Sequence, residues 1–145
     1  MSAITPSITS AALSATGLLI DGTWRRGEGR DVHLVINPAT GSAVAELPLA
    51  NAADLDEALA ASARAYPGWR AMDVDARATI LRRAATLIRE RAEDIAMLLT
   101  TEQGKPLAEA RGEVASSAAQ FDYFAEDAKR RNGRVLVPPT GPRAS

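Results

Sequence analysis

Cysteine is absent from this 145-residue sequence, and histidine occurs once, as His33. Without a thiol the chain can form no disulfide, no thiolate metal site and no cysteine nucleophile of its own. A single imidazole completes neither a catalytic triad nor a metal site, and its place in an alternating run predicts that it faces solvent. The composition therefore excludes the familiar thiol-based and imidazole-based sites.

No charge of one sign dominates, because 17 basic residues stand against 18 acidic ones. Such a balance creates no broad field, so neither nucleic acid nor a membrane is a predicted partner. No apolar run approaches the roughly 18 residues that a membrane span needs. The uncharged residues 1–16 have neither the basic start of a secretory signal nor the arginine-rich face of a transit peptide. These features predict a cytoplasmic protein with a flexible leader over residues 1–16.

The ten glycines form neither of the familiar phosphate-binding patterns. No G-x-G-x-x-G occurs, and the pair Gly104-Lys105 has Leu99 where a P-loop needs glycine and Pro106 where it needs serine or threonine. Glycine accepts the left-handed conformation that ends a helix, and proline cannot extend the preceding hydrogen-bond ladder. The stretch Glu-Gln-Gly-Lys-Pro therefore predicts a helix stop, and a chemical role for Glu102 or Lys105 is the alternative.

Two stretches near the start of the folded part alternate between apolar and polar residues and contain turn residues. In LLIDGTW, residues 18–24, Asp-Gly lies between an aliphatic run and Trp24, which is a strong hairpin signal. In VHLVINPATGSAVAELP, residues 32–48, Asn-Pro-Ala-Thr-Gly separates two apolar runs. The sequence therefore predicts two small β-hairpins.

After Pro48 the apolar period changes from 2 to 3.6, which predicts helices. Asn51 is a predicted N-cap with Asp54 three residues later, and the first helix is predicted to end at Pro67-Gly68. Three more amphipathic helices follow. The second helix is predicted to start at Asp73 or Asp75. The third has Glu93 or Asp94 near its start and an apolar register through Leu99. The fourth is predicted to run from Leu107 or Ala110 to Arg130.

Two groups of side chains could form binding surfaces but have simpler explanations. The arginines of the second helix alternate with acidic residues, which is typical of a solvated face. The aromatic residues of the first and fourth helices could stack on nucleobases, yet no sheet displays them and no basic groove surrounds them. Packing between helices is predicted for the aromatic residues Tyr66, Trp69, Phe121, Tyr123 and Phe124.

Five segments, taken in order, resemble the N-terminal portion of the NAD(P)-dependent aldehyde dehydrogenase superfamily over about residues 17–142. They are LLIDGTW, INPATGSAVAELPLA, the helix Asp54–Trp69, RATILRRAATLIRERAEDIAMLLTTEQGKPLAEARGEV and FDYFAEDAKRRNGRV. Each segment is of a common type, but five in this order are highly specific. Glu-Gln-Gly-Lys-Pro followed by LAEARGEV most resembles the succinate-semialdehyde dehydrogenase branch.

The resemblance implies an α/β fold, as an incomplete aldehyde-dehydrogenase N-terminal domain. Two short hairpins and about four helices are expected, with more helix than strand and with the parallel Rossmann sheet mostly missing. Residues 17–133 would belong to the cofactor-binding domain, and residues 134–145 would begin an oligomerisation arm. The implied partner is the remainder of an aldehyde dehydrogenase chain or a homo-oligomer.

The resemblance also implies which chemistry this segment does not carry. Complete relatives use thiolate attack on the aldehyde, hydride transfer to NAD or NADP and thioester hydrolysis. Their nucleophilic cysteine, general base and cofactor-binding residues all lie beyond the part that this sequence resembles. We therefore expect no catalytic residue and no NAD or NADP binding within this chain. The alternative to an inactive N-terminal portion of an enzyme is a non-catalytic helical interaction module derived from the same fold.

One candidate site is implied within the resembling region. Some family members hold a monovalent cation with an acidic side chain just before Gly-Lys-Pro and with carbonyls preceding Asn-Pro. These positions correspond to Glu102 and to the carbonyl groups of Val35 and Ile36. Oxygen ligands suit such a hard ion. The alternative is that Glu102 is an ordinary solvated carboxylate.

Overall fold

The computed structural model describes residues 17–26, 29–130 and 133. Within these residues, four strands of three to six residues precede four helices of 20, 17, 12 and 21 residues. In order they are β1 (Leu18–Ile20), β2 (Thr23–Arg25), β3 (Val32–Ile36), β4 (Ala43–Pro48), α1 (Ala52–Ala71), α2 (Val74–Glu90), α3 (Ala92–Gln103) and α4 (Leu107–Asp127), with a final 3₁₀ turn, Ala128–Arg130. The helix-dominated α/β prediction is confirmed. The predicted leader over 1–16 and the predicted arm over 134–145 lie outside the described residues.

The first hairpin pairs β1 with β2 in antiparallel register, Leu18 opposite Arg25 and Ile20 opposite Thr23. Asp21 and Gly22 make its turn with φ angles of 50° and 74°. Two consecutive positive φ angles are what a type I′ turn requires, and Asp-Gly satisfies that requirement. The predicted hairpin is confirmed together with its turn residues.

The second hairpin pairs β3 with β4 and turns at Asn37-Pro38-Ala39-Thr40-Gly41. The Asn37 side chain accepts a hydrogen bond from the Ala39 N–H at 2.9 Å, and the Asn37 carbonyl accepts one from the Gly41 N–H at 2.8 Å. The ladder pairs Val35 with Ala45 but Ile36 with Ala43, so a bulge interrupts it. The predicted hairpin is confirmed, and the bulge is an additional feature.

Helix α1 begins with the predicted cap. The Asn51 side chain accepts a hydrogen bond from the Asp54 N–H at 3.0 Å, and the Asp54 carboxylate accepts one from the Asn51 N–H at 2.9 Å. This capping box satisfies two backbone donors at the helix start. The predicted end at Pro67-Gly68 is wrong, because α1 continues through Pro67 to Ala71. Proline costs one hydrogen bond, but the turn after it still closes through the Met72 N–H, which donates to Gly68 at 3.1 Å.

The other helix boundaries follow the predicted punctuation. Asp73 caps α2 by accepting hydrogen bonds from the Asp75 and Ala76 N–H groups. Helix α3 ends at Gly104, whose φ is 76° and whose N–H donates to Thr100 at 2.8 Å. Pro106 then directly precedes α4. The Glu-Gln-Gly-Lys-Pro stretch is therefore the predicted helix stop.

The helices α2, α3 and α4 pack through small side chains. The buried apolar residues at their contacts are Ala78, Ala85, Ala96, Ala110, Val114, Ala118 and Ala125. Within the described ranges no large side chain is fully buried. Alanine lets helix backbones approach closely, but it leaves the larger apolar side chains at the margins of the contact.

The aromatic side chains contradict their predicted packing between helices. Tyr66, Tyr123 and Phe124 are 56–61% exposed, and Trp69 and Phe121 are 39% and 38% exposed. The alanine contacts leave no space into which these rings could insert.

None of the described helices combines the length and apolar character that crossing a bilayer requires.

Candidate functional site

The predicted helix stop packs directly against the turn of the second hairpin. A Cβ atom placed on Gly104 would lie 2.6 Å from Cγ of Pro38, which is closer than real side chains approach. Glycine is therefore required at position 104 both by its positive φ and by this contact. The two segments in which the predicted cation ligands lie are brought together at this point.

The three predicted cation ligands lie close in sequence to the Gly104–Pro38 contact. Glu102 is exposed in the last turn of α3, Val35 is half-buried and Ile36 is exposed at the end of β3. The β4 bulge falls beside Val35 and Ile36, and bulges disrupt the ladder locally. Among the described residues no three acidic or histidine side chains are grouped to hold a metal ion. A cation here would therefore need backbone oxygens beside its single carboxylate.

Lys105, the other residue of interest in this stretch, has a structural partner. Its Nζ atom donates to Oε1 of Glu113 at 2.5 Å, and the lysine side chain is only 18% exposed. This pair ties the loop after α3 to the second turn of α4. A lysine held in this way fixes the junction, which is a different role from binding a phosphate.

Asp54 lies at the centre of an ionic cluster that joins the first hairpin and the segment before β3 to α1. Its carboxylate is buried, and it accepts a hydrogen bond from Nη2 of Arg30 at 2.8 Å and is ion-paired with Nη1 of Arg30. Nη1 of Arg25 is 3.7 Å from Asp54 Oδ1 and donates to Glu57 at 2.7 Å. The hydrogen bonds from Arg30 and then from the Asn51 backbone hold the pKa of Asp54 below its ordinary value of 3.8. We call Arg25, Arg30, Asp54 and Glu57 the ionic clamp.

The interactions of the ionic clamp suit a structural role and not a catalytic one. A carboxylate held ionised by two guanidinium groups cannot act as a general acid near neutral pH, and its oxygens are already occupied by donors. The Asn51 cap with Asp54 three residues later was predicted from the sequence, but the two arginines were not. Arg30 and Asp54 are 24 positions apart, and no local pattern marks such a pair.

Ion pairs also connect the helices to one another. Arg89 donates to Asp122 at 2.5 Å, Arg111 donates to Glu93 at 2.6 Å, and Arg82 is paired with Glu126. The hydrogen bond from Arg82 lowers the pKa of Glu126, and that from Arg111 lowers the pKa of Glu93. The arginine face of α2 was predicted to be solvated, and the side chains of Arg82 and Arg89 are indeed 42% and 52% exposed. Both also pair with acidic residues of α4, which was not predicted.

The described residues contain no parallel strands of the kind that form a Rossmann-type dinucleotide site. A Rossmann-type site forms where parallel strands end and a helix N-terminus receives the pyrophosphate. Both sheets of the described chain are antiparallel pairs, β1 with β2 and β3 with β4. The N-termini of α1 and α2 are occupied by their own caps, Asn51 and Asp73. We therefore assign no catalytic step and no cofactor contact to these residues.

Comparison with known proteins finds similar sequences and structures over nearly the whole chain. Residues 24–144 match the model described as "Aldehyde dehydrogenase family". The chain is 43% identical over 118 residues to the succinate-semialdehyde dehydrogenase [NADP(+)] GabD of Escherichia coli K12, which covers 81% of this chain and 24% of GabD. It is also 43% identical over 117 residues to a glutarate-semialdehyde dehydrogenase of Pseudomonas putida, with 81% and 24% covered.

A solved structure shows that the fold is shared as well as the sequence. The succinate-semialdehyde dehydrogenase of Burkholderia pseudomallei superposes with a TM-score of 0.81 at 38% identity, over 96% of this chain and 28% of that chain. The chain thus spans about a quarter of the length of the curated relatives it matches. The match is to their N-terminal part, and the predicted likeness to succinate-semialdehyde dehydrogenases is confirmed. On sequence and on structure alike, this chain belongs to the aldehyde dehydrogenase family.

Proposed function

We propose that this chain provides the N-terminal scaffold of an NAD(P)-dependent aldehyde dehydrogenase and is inactive without the rest of such an enzyme. The observation that supports the proposal is the match of residues 24–144 to the family in a chain that has no cysteine. The reaction of the whole enzyme would be oxidation of an aldehyde to a carboxylic acid, with NAD or NADP accepting the hydride. The cytoplasm is the proposed location, and a homo-oligomer is the proposed assembly of the complete enzyme.

The proposed substrate class is an aldehyde that also carries an acid group. GabD and the Pseudomonas relative are named for succinate semialdehyde and glutarate semialdehyde, which are aldehydes of linear dicarboxylic acids. The contribution of this chain would be indirect. Its alanine contacts, its ionic clamp and the Gly104–Pro38 contact fix the relative positions of the helices and hairpins on which the rest of the enzyme is built.

A hybrid enzyme tests this proposal. In the hybrid, residues 24–144 of this chain replace the matched segment of E. coli GabD. We expect the hybrid to reduce NADP with succinate semialdehyde within about a hundredfold of the GabD rate, the loss that a misplacement of about 1 Å can cause. Intact GabD and GabD without the segment are the controls. A folded hybrid with no more activity than the deleted enzyme would contradict the proposal and favour the interaction module.

We further propose that Glu102 and the carbonyl groups of Val35 and Ile36 hold a monovalent cation. The Gly104–Pro38 contact and the bulge beside Ile36 support this site. The chain should have a higher thermal midpoint in sodium or potassium chloride than in tetramethylammonium chloride at equal ionic strength. Glu102→Gln should remove that difference. Equal midpoints of the unmodified chain in all three salts would contradict the site.

A further inference from the structure

The last turn of α3 carries negative charge that no basic residue of that turn balances. Glu102 is exposed there, and it has no ion-pair partner among the described residues. The turn contains no lysine or arginine. The carbonyl groups at the C-terminus of a helix add a partial negative charge that attracts cations. The end of α3 therefore suits a positive charge beside Glu102, which agrees with the oxygen ligands of the proposed cation site.

The protein has a positive charge of its own close to this helix end. Lys105 lies three positions after Glu102, so their Cα atoms are at most about 11 Å apart, and two long side chains can bridge such a separation. The Lys105 ammonium is nevertheless paired with Glu113 of α4, at 2.5 Å. An ammonium carries the same charge as a sodium or potassium ion. If Lys105 were released, it would compete with either ion for Glu102.

We propose that Glu113 is a positioning residue for the cation site, because it holds the Lys105 ammonium away from Glu102 and leaves that carboxylate to a monovalent ion. This inference rests on the proposed cation site. It assigns a purpose to a contact between the loop after α3 and the body of α4. The Lys105–Glu113 pair decides which of two positive charges, the ammonium or a free ion, neutralises the end of α3.

Removal of the Glu113 carboxylate would leave an ammonium that is largely shielded from water. The Lys105 side chain is only 18% exposed, and a shielded charge is costly without a partner. Glu102 and Glu109 are the other carboxylates close to it in sequence. Glu109 lies in the first turn of α4, where the helix dipole favours a negative charge, whereas the dipole of α3 opposes one at Glu102. Glu102 gains more from a cation, so the released Lys105 should move to it.

Three variants of the chain test the proposal, namely Glu113→Gln, Lys105→Met and the double variant that carries both changes. The thermal midpoint of each is followed while potassium chloride replaces tetramethylammonium chloride at constant ionic strength. In Glu113→Gln, the potassium concentration that gives half of the effect should rise at least about tenfold, as expected when a competitor leaves one site in ten open. Lys105→Met and the double variant should resemble the unmodified chain, because both lack the competing ammonium.

The double variant separates this role from a structural one. The Glu113 side chain is 57% exposed, so we expect Glu113→Gln to fold, and helical circular dichroism in tetramethylammonium chloride checks this for every variant. A loss of stability that Glu113→Gln causes equally in all salts would reflect the broken ion pair alone. Only competition by Lys105 predicts a higher potassium requirement that returns to normal when the lysine is also removed.

Two results would overturn the inference while leaving the cation site intact. One is an unchanged potassium requirement in Glu113→Gln, which would mean that the released Lys105 pairs with Glu109 or with water. The other is a raised requirement that persists in the double variant, since the ion would then need Glu113 itself. Equal midpoints of the unmodified chain in all salts would instead refute the cation site, and this inference with it.

Discussion

The hairpin region, β1 to α1, and the helical layer, α2 to α4, are held together by different interactions. In the hairpin region the buried polar residue is Asp54, and the ionic clamp joins the first hairpin and the segment before β3 to α1. In the helical layer the contact residues are alanines with no exposed surface, such as Ala85 and Ala118. Charge pairs connect the first region, and close backbone approach, reinforced by ion pairs such as Arg89–Asp122, connects the second.

This difference explains where the chain leaves apolar surface exposed. The alanine contacts of the three helices are supplemented by Ile88, Leu99 and Leu107, which pack partly against the core. The larger side chains of Phe121, Phe124 and Ile95 remain at the surface. The stripe of Leu55, Leu59 and other apolar residues on α1 is likewise exposed. The described part of the chain is therefore ordered by small contacts and ion pairs, while many of its large apolar side chains remain exposed.

The largest expected effect comes from enlarging the alanine contact. Ala118→Leu should lower the free energy of unfolding by about 1–3 kcal/mol, because the side chain has no space between α4 and α2. Ala119→Leu is the control, since Ala119 is exposed on the same helix and leucine is also a good helix former. Urea unfolding followed by circular dichroism measures both. Equal stability of the two variants would show that the helices are not closely packed at Ala118.

The contact between the two regions gives the next largest effect. Gly104→Ala should cost about 1–2 kcal/mol from its left-handed backbone alone, and the clash with Pro38 adds to this cost. Gly112→Ala should instead raise stability by about 0.5–1 kcal/mol, because Gly112 lies within α4 and has open space around it. Thermal unfolding of the two variants should therefore shift in opposite directions. A shift in the same direction would contradict the Gly104–Pro38 contact.

The cap of α1 tests the hairpin region on a smaller scale. Asn51→Ala should lower the free energy of unfolding by about 1 kcal/mol, because the N–H of Asp54 loses its acceptor. Asn51→Ser keeps a capping oxygen and should retain most of the stability. Chemical unfolding monitored by circular dichroism distinguishes the two. Identical losses for alanine and serine would mean that the side-chain cap contributes little.

Acidification is expected to have the smallest effect on stability. The free energy of unfolding should change little until the pH is low enough to protonate the carboxylates of the ion pairs. The folded-state pKa values of Asp54 and Glu57 lie below the ordinary 3.8 and 4.5, chiefly because of hydrogen bonds from Arg30 and Arg25. Depressed pKa values give stability that is present above the ordinary values and is lost as pH falls through the folded-state values. Stability should thus be level between about pH 5 and 7 and should fall below about pH 4.5. Thermal midpoints across that range test this, and a decline that begins above pH 5.5 would contradict it.

Residues that act on their immediate neighbours were readable from the sequence. Asp21-Gly22, Asn51 and Gly104 each set a local backbone geometry, and each appears in its predicted role. The predicted helix end at Pro67 was wrong because α1 tolerates one missing hydrogen bond within its last two turns. The charge pairs were not predictable, since Arg82 and Glu126 are 44 positions apart and meet only after the helices pack.

The candidate site was predictable only through the family resemblance. Nothing in the spacing of Glu102 and Ile36 links them, and the structure shows a contact only between their neighbours Gly104 and Pro38. The aromatic side chains were misjudged for a related reason. Their periodicity correctly indicates an apolar face, but periodicity does not say whether the surface that covers it belongs to the same segment of chain.

The central claim is that this chain supplies structure without chemistry, and isothermal titration calorimetry of the purified chain with NAD and with NADP tests it most directly. The account predicts no saturable heat for either dinucleotide, because the strands of the described residues form only antiparallel pairs, while E. coli GabD titrated with NADP under the same conditions should bind. Saturable binding of either dinucleotide by this chain alone would contradict the account.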